Sequence, residues 1–298
     1  VVSALVLVFA LLALGYVLGR ARVFADADAA ADALNRYVVY VCLPALVLVL
    51  VPKLRWEPAL WFVVATPWAM LAIGVACVLA AARVFGWPRP VIGALLLCAP
   101  LGNTSFVGIP LIEALRGEHA VRYAIVYDQF GSFLALSTFG LVAIARYAGE
   151  AAPSAAAVAA RVLRFPPFVA LLAALVPFSH PQWLDAALQR VADTLVPVAV
   201  FAVGLRLKLR PPADRSALFA GLGIKMLLCP LLAFAALRAL GAHALPAQVA
   251  VLESAMPPMI SAGALASMAG LAPELCAALV GYGVVLAFAT LPLWNALL

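Results

Sequence analysis

"LGNTSFVGIP", Leu101 to Pro110, lies inside an apolar run that begins at Val91 and continues through Leu111 and Ile112. Gly, Pro, Asn, Thr and Ser loosen a helix and offer hydrogen bonds, which a span resting passively in lipid has no use for. An interruption here frees backbone N–H and C=O groups. At membrane depth such groups survive only where protein or a water-lined cavity meets them. The stretch therefore reads as a broken helix with a purpose.

The remainder of the chain establishes the solvent. Of 298 residues, 67% are hydrophobic and only 11% are charged, and the mean hydropathy is +1.13. So few charges cannot cover the surface of a soluble protein of this length, and a polytopic membrane protein follows. Long unbroken apolar stretches, rather than ten-residue alternations, select helices over a barrel. The fold class expected is all-α. The formal net charge of +6 comes from basic residues standing singly or in small groups between apolar runs, as juxtamembrane anchors do. No nucleic-acid partner is expected.

Cys42, Cys77, Cys98, Cys229 and Cys276 all fall within apolar runs without CxxC spacing. They read as small buried apolar residues, with neither disulfide nor metal expected. His119, His180 and His243 fall between the spans. The opening "VVSALVLVFALLALGYVLG" resembles a signal sequence, but it is long enough to span and further spans follow, so it is taken as the first.

Apolar runs bounded by charge, Pro or Gly place ten candidate spans at 1–20, 33–51, 58–82, 90–115, 121–146, 165–178, 185–207, 216–240, 246–270 and 274–297. A polar-then-Ala-rich connection, Arg146 to Phe165, divides them five and five. The halves match at a shift of about 153 residues. Pro44 falls on Pro197, and "NTSFVGIPLIEALRG" (103–117) falls on "MPPMISAGALASMAG" (256–270), with Gly117 on Gly270. At a shift of 152, Gly131 falls on Gly283 and Thr138 on Thr290. An odd number of spans per repeat turns the second copy upside down, which is the inverted-repeat plan of secondary transporters. The expected organisation is a first five-helix repeat at 1–147, a cytoplasmic link at 148–164 and a second, inverted repeat at 165–298.

Orientation follows from the basic residues. One set of connections holds Arg20, Arg22, Arg83, Arg89, Arg146, Arg161, Arg164, Arg206, Lys208, Arg210 and Arg215; the other holds Lys53, Arg55, Arg116, Arg122, Arg190 and Arg238. The richer side is expected to be cytoplasmic, with both termini outside and the protein in the cytoplasmic (inner) membrane.

In such a plan the substrate binds near the midplane, where broken helices expose backbone groups and dipole ends. Gly102 and Gly108 relax the first break and Pro110 removes a donor, while Asn103, Thr104 and Ser105 offer side-chain hydrogen bonds. Pro257 and Pro258 occupy the matched position, with Ser254 before them and Ser261 after. Asn103, Thr104, Ser105, Gly108, Pro110, Pro257, Pro258 and Ser261 are the expected substrate site.

"LGNTSFVGIPLIEALRG" resembles the fourth-span signature of the auxin efflux carrier family, which includes plant PIN-type carriers and bacterial carriers associated with malonate or malate. "AMPPMISAGALAS" and "YGVVLAFATLPLW" are similar to its ninth and tenth spans, and "CLPALVL" to its second. The resemblance covers essentially the whole chain. It implies ten helices in two inverted five-helix repeats, with the fourth and ninth unwound and crossing at the substrate. It also implies a scaffold and a transport unit that move against each other as an elevator. It places Asn103, Thr104, Gly108 and Pro110 in one half, and Pro257 and Pro258 in the other, at the crossing. The chain departs from the family at Met256, which stands in place of an amide, and in its short central link. Both point away from auxin itself.

Charges within spans are costly and commonly functional. Asp128 lies early in the fifth span and Glu253 just before the second break; both are candidates for ion coupling. Lys225 lies well inside the eighth span, to pair with an acid or to reach the cavity. Asp193 and Arg190, three residues apart, read as a structural pair, and Arg36 as a snorkelling side chain.

The leading expectation is a secondary carrier of a small organic anion, such as a dicarboxylate or aromatic carboxylate, needing no cofactor. The alternative is a sodium- or proton-coupled symporter or antiporter, of the bile-acid-symporter or cation–proton antiporter type, on the same architecture. A receptor or channel is a further rival. An intramembrane enzyme lacks a GxSxG, His-rich or paired-Asp signature, and there is no P-loop. Partners are thus a carboxylate, H+ or Na+, and the lipid bilayer; a homodimer is left open.

Overall fold

The computed structural model describes residues 2–53, 58, 60–149, 154–176, 181–207 and 209–298. Arg55, His180, Lys208, residues 150–153 of the expected link and the last two residues of the expected sixth span lie outside the described residues. Those described are helical, with no strand among them. Among the described residues, six helices are long and apolar enough to cross a membrane: Ala27–Lys53, Leu60–Phe85, Glu118–Ala148, Gln182–Arg206, Arg215–Ala239 and Pro273–Leu297. Their outward surface carries large apolar side chains, among them Trp61, Phe85, Trp183, Phe219, Leu231 and Leu293. So much exposed hydrocarbon is at odds with water and suits lipid. The chain is a polytopic, all-helical membrane protein.

Helix ends follow local chemistry. Asp26 and Asp214 each accept a hydrogen bond from the backbone N–H three residues on, at Ala29 and Ala217, and so start their helices. Gly117 (φ 86°) and Gly270 (φ 72°) close the helices before them in a backbone conformation that favours glycine. The stretch between the two halves contains a helix, Ala155–Leu163.

The chain forms two compact units. One comprises 1–56, 105–125 and 160–207; the other comprises 57–104, 126–159 and 208–298. In the first, Val2–Arg20 lies against Leu195–Arg206 through two glycines. A Cβ added to Gly15 would stand 2.4 Å from the Phe201 carbonyl oxygen, and one added to Gly204 would stand 2.3 Å from that of Leu12. Membrane helices lack a hydrophobic force between them and rely on such close backbone approach. Arg206 pairs with Asp32, and the Phe24 and Phe201 rings meet edge to face at 6.4 Å.

Arg190 and Asp193 do not pair as their spacing suggested. The helix turns at Asp193 and Thr194, and Gln189 Nε2 donates to the Asp193 carboxylate at 2.8 Å instead. Asp193 is exposed at that turn, and Arg36 is also exposed. Cys42, Cys98, Cys229 and Cys276 are buried, whereas Cys77 is half-buried.

The second unit holds every buried polar or charged residue found among those described: Thr66, Asn103, Thr104, Asp128, Gln129, Ser132, Ser137, Lys225, Glu253 and Ser254. Burying such groups in a membrane protein costs free energy unless they are paired or used. The chemistry is concentrated in one unit.

Candidate functional site

Within that unit two helices stop short and their ends meet. Arg89–Cys98 ends before Leu101, and Leu245–Ser254 ends before Met256. Beyond those ends the chain runs extended, and the two extended pieces pair antiparallel through Gly102 and Pro258. The Asn103 N–H donates to the Pro257 carbonyl at 2.8 Å, and the Met259 N–H donates to the Leu101 carbonyl at 3.0 Å. Helix breakers create the ends, and the reciprocal pairing satisfies groups that would otherwise face hydrocarbon. Pro257 and Pro258 lack N–H groups, so the Pro257 carbonyl accepts across the pairing and neither residue leaves an orphaned donor. Gly283 makes room for the bend, since a Cβ there would stand 2.5 Å from Pro258 Cδ.

The sequence-derived residues divide between the units. Asn103, Thr104, Pro257 and Pro258 are buried at the pairing, and Ser261 lies half-buried in the first turn of Ile260–Met268. Ser105, Gly108 and Pro110 belong to the other unit, so the chain passes from one to the other within the π-helical turn Thr104–Gly108. Such turns recur at functional positions in helices.

Charge gathers beside the pairing. Thr104 Oγ1 donates to Asp128 Oδ1, and Gln129 Nε2 donates to Asp128 Oδ2 at 2.7 Å. Lys225, within a π-helical turn at Ile224–Leu228, donates from Nζ to the Ser254 carbonyl at 2.9 Å. Glu253 is fully buried, and neither carboxyl oxygen has a hydrogen-bond partner. Asp128 and Lys225 both lie within electrostatic reach of it. Sequence reading weighed Lys225 but left it outside the site, and it passed over Gln129; a polar residue adjoining an intramembrane acid was the available signal.

A family model described as membrane transport protein matches residues 1–295. The chain belongs to that family. It is the auxin-efflux-carrier-like family that the two broken segments resemble. An uncharacterized transporter of Methanothermobacter thermautotrophicus is 28% identical over 306 residues, covering 100% of this chain and 97% of the relative. An uncharacterized transporter of Methanocaldococcus jannaschii is 24% identical over 241 residues, with 76% of each chain covered. The chain is a membrane transporter rather than an enzyme.

Proposed function

We propose that this transporter is a secondary carrier of small organic anions, carboxylates above all, working by elevator-type alternating access in the cytoplasmic membrane. Ten helices form two inverted five-helix repeats, 1–147 and 165–298, joined by a cytoplasmic link at 148–164. The fourth and ninth are broken and cross at the substrate. The observation that carries this reading is the antiparallel pairing of Leu101–Asn103 with Pro257–Met259. Both paired segments lie at the breaks that the internal shift matches, where Asn103 falls on Met256. Gly117 and Gly270, also matched, both close a helix with positive φ. The two compact units each draw segments from both halves of the chain, as two bodies moving against each other in an inverted repeat would.

The chemistry favours an anion. The Asn103 side chain carries an amide donor, and the N-terminal N–H groups of Ile260–Met268 open beyond the second break. The second reading, coupling to H+ or Na+, is favoured by the unpartnered Glu253 carboxyl. Liposomes holding purified protein test both. A dicarboxylate or aromatic carboxylate is expected to raise the melting temperature and to be taken up under a pH or sodium gradient. Glu253→Gln is expected to retain the melting shift and lose the gradient dependence. Cation-driven pH change without carboxylate uptake would make the chain an antiporter. Wild-type gradient dependence in both Glu253→Gln and Asp128→Asn would end the coupling role.

Topology has its own measurement. In a Cys-free variant, one cysteine near the amino terminus and one within 154–160 are expected to lie on opposite sides of the membrane. An impermeant maleimide should label the first in intact cells and leave the second untouched. Labelling of both would remove the odd-span repeat.

A further inference from the structure

A cavity of about 450 Å³ opens on the first compact unit, between Val2–Arg20, Leu195–Arg206 and the start of Ala27–Tyr37. Its walls are hydrocarbon, with Leu11, Phe24, Ala33, Leu34, Pro197 and Phe201 among them. The first two helices run side by side in one direction. Gly15 lies against Gly204 and Gly19 against Leu205, so both helices reach their arginines, Arg20 and Arg206, at the same end. Leu11 and Pro197 each stand nine residues before those arginines, which is about 14 Å of helix. Half of a bilayer's hydrocarbon core is about 15 Å thick. The cavity therefore reaches from a basic end to about the depth of one leaflet. At that end Arg20, Arg22 and Arg206 meet Asp26, Asp28 and Asp32. Asp26 accepts from the Ala29 N–H and Asp32 pairs with Arg206, so Arg20 and Arg22 outnumber Asp28. Arg22 stands two residues before Phe24 with φ 56°, a conformation uncommon outside glycine that recurs at ligand clamps.

We propose that this cavity is a phospholipid site. One acyl chain lies along the wall from Phe24 to Leu11 and Pro197, and the phosphate rests on the guanidinium groups of Arg20 and Arg22. Walls without polar groups suit a chain drawn from the bilayer rather than a solute drawn from water. Guanidinium forks suit phosphate oxygens, and at a membrane surface each contributes about a five-fold gain in binding. The chain completes the packing beside the contact of Gly15 with Gly204, where a larger residue cannot stand. The helix pair is thus expected to depend on lipid for part of its stability. The site lies within one compact unit, and neither the proposal nor its test rests on the carrier reading.

Native mass spectrometry and thermal melting of the full chain, washed free of lipid in detergent, decide the matter. Phosphatidylglycerol and a diacylglycerol with the same chains are added at equal concentration. The wild type is expected to retain one phosphatidylglycerol in preference to diacylglycerol, and its melting temperature to rise to saturation with the phospholipid. Arg20→Gln and Arg22→Gln are each expected to weaken that retention roughly 5-fold while leaving diacylglycerol unaffected. Ala33→Phe places a ring in the cavity. It is expected to melt no lower than the wild type without lipid and to lose the response to phosphatidylglycerol. Equal retention of the two lipids by the wild type would mean an unspecific coat and overturn the proposal. So would undiminished phospholipid binding in Ala33→Phe, or displacement of the phospholipid by an equal concentration of oleate, which would make the ligand a free carboxylate. A wild-type dimer that carries no lipid and that Ala33→Phe turns into a monomer would assign the cavity to a second copy instead. If Ala33→Phe does not fold, the two arginine variants decide by themselves: unchanged retention in both ends the proposal.

Discussion

Asn103→Ala is expected to abolish measurable carboxylate uptake while the protein still inserts and folds. The backbone N–H of Asn103 remains bonded to the Pro257 carbonyl whatever side chain the residue carries, so the pairing of the two broken segments survives. What disappears is the side-chain amide, 1% exposed beside the crossing. A hydrogen bond to a charged group contributes about 1.5–3 kcal/mol, which corresponds to a loss of roughly 10- to 150-fold in affinity. Loss of positioning at the break compounds it. Uptake into liposomes and the melting temperature are measured on the same preparation. Normal uptake by Asn103→Ala would show that the substrate site lies elsewhere. A collapsed melting temperature would show that the side chain serves the fold instead.

Gly204→Val is expected to be the most damaging single change to the fold. The added Cβ would lie 2.3 Å from a main-chain oxygen of Leu12, and no rotamer relieves a clash at Cβ. Backbone against backbone leaves only separation of Val2–Arg20 from Leu195–Arg206. That places the cost at or above the upper end of ordinary overpacking, about 3 kcal/mol. Gly223 provides the contrast: it also lies in a helix, but a Cβ there meets nothing within 4 Å. Gly223→Ala is therefore expected to be neutral or slightly stabilising, because alanine is the better helix former. Thermal unfolding of the two variants in one detergent makes the comparison. A Gly204→Val protein that melts with the wild type would mean that these helices do not touch.

The reading of Arg190 and Asp193 shows how far local spacing carries. Residues three apart share a helix face, but so do residues four apart, and here Gln189 takes the Asp193 carboxylate in place of Arg190. Glu253 and Asp128 were legible as buried acids because a charge within an apolar run stands out at any position. That Lys225 reaches the Ser254 carbonyl was not legible, because nothing in either segment names the other.

The sequence by itself determined the membrane class, the helical content, the approximate limits of the apolar runs and both sites of breakage. These are local properties, set by hydropathy over about twenty residues and by where Gly and Pro stand. Only the tertiary structure decided that Leu101–Asn103 pairs with Pro257–Met259 and that the buried polar residues gather in one compact unit. It alone placed an ammonium against the paired backbone. Hydropathy tells a segment that it must be buried but not against which partner, and that choice belongs to steric fit and backbone hydrogen bonds between residues far apart in the chain.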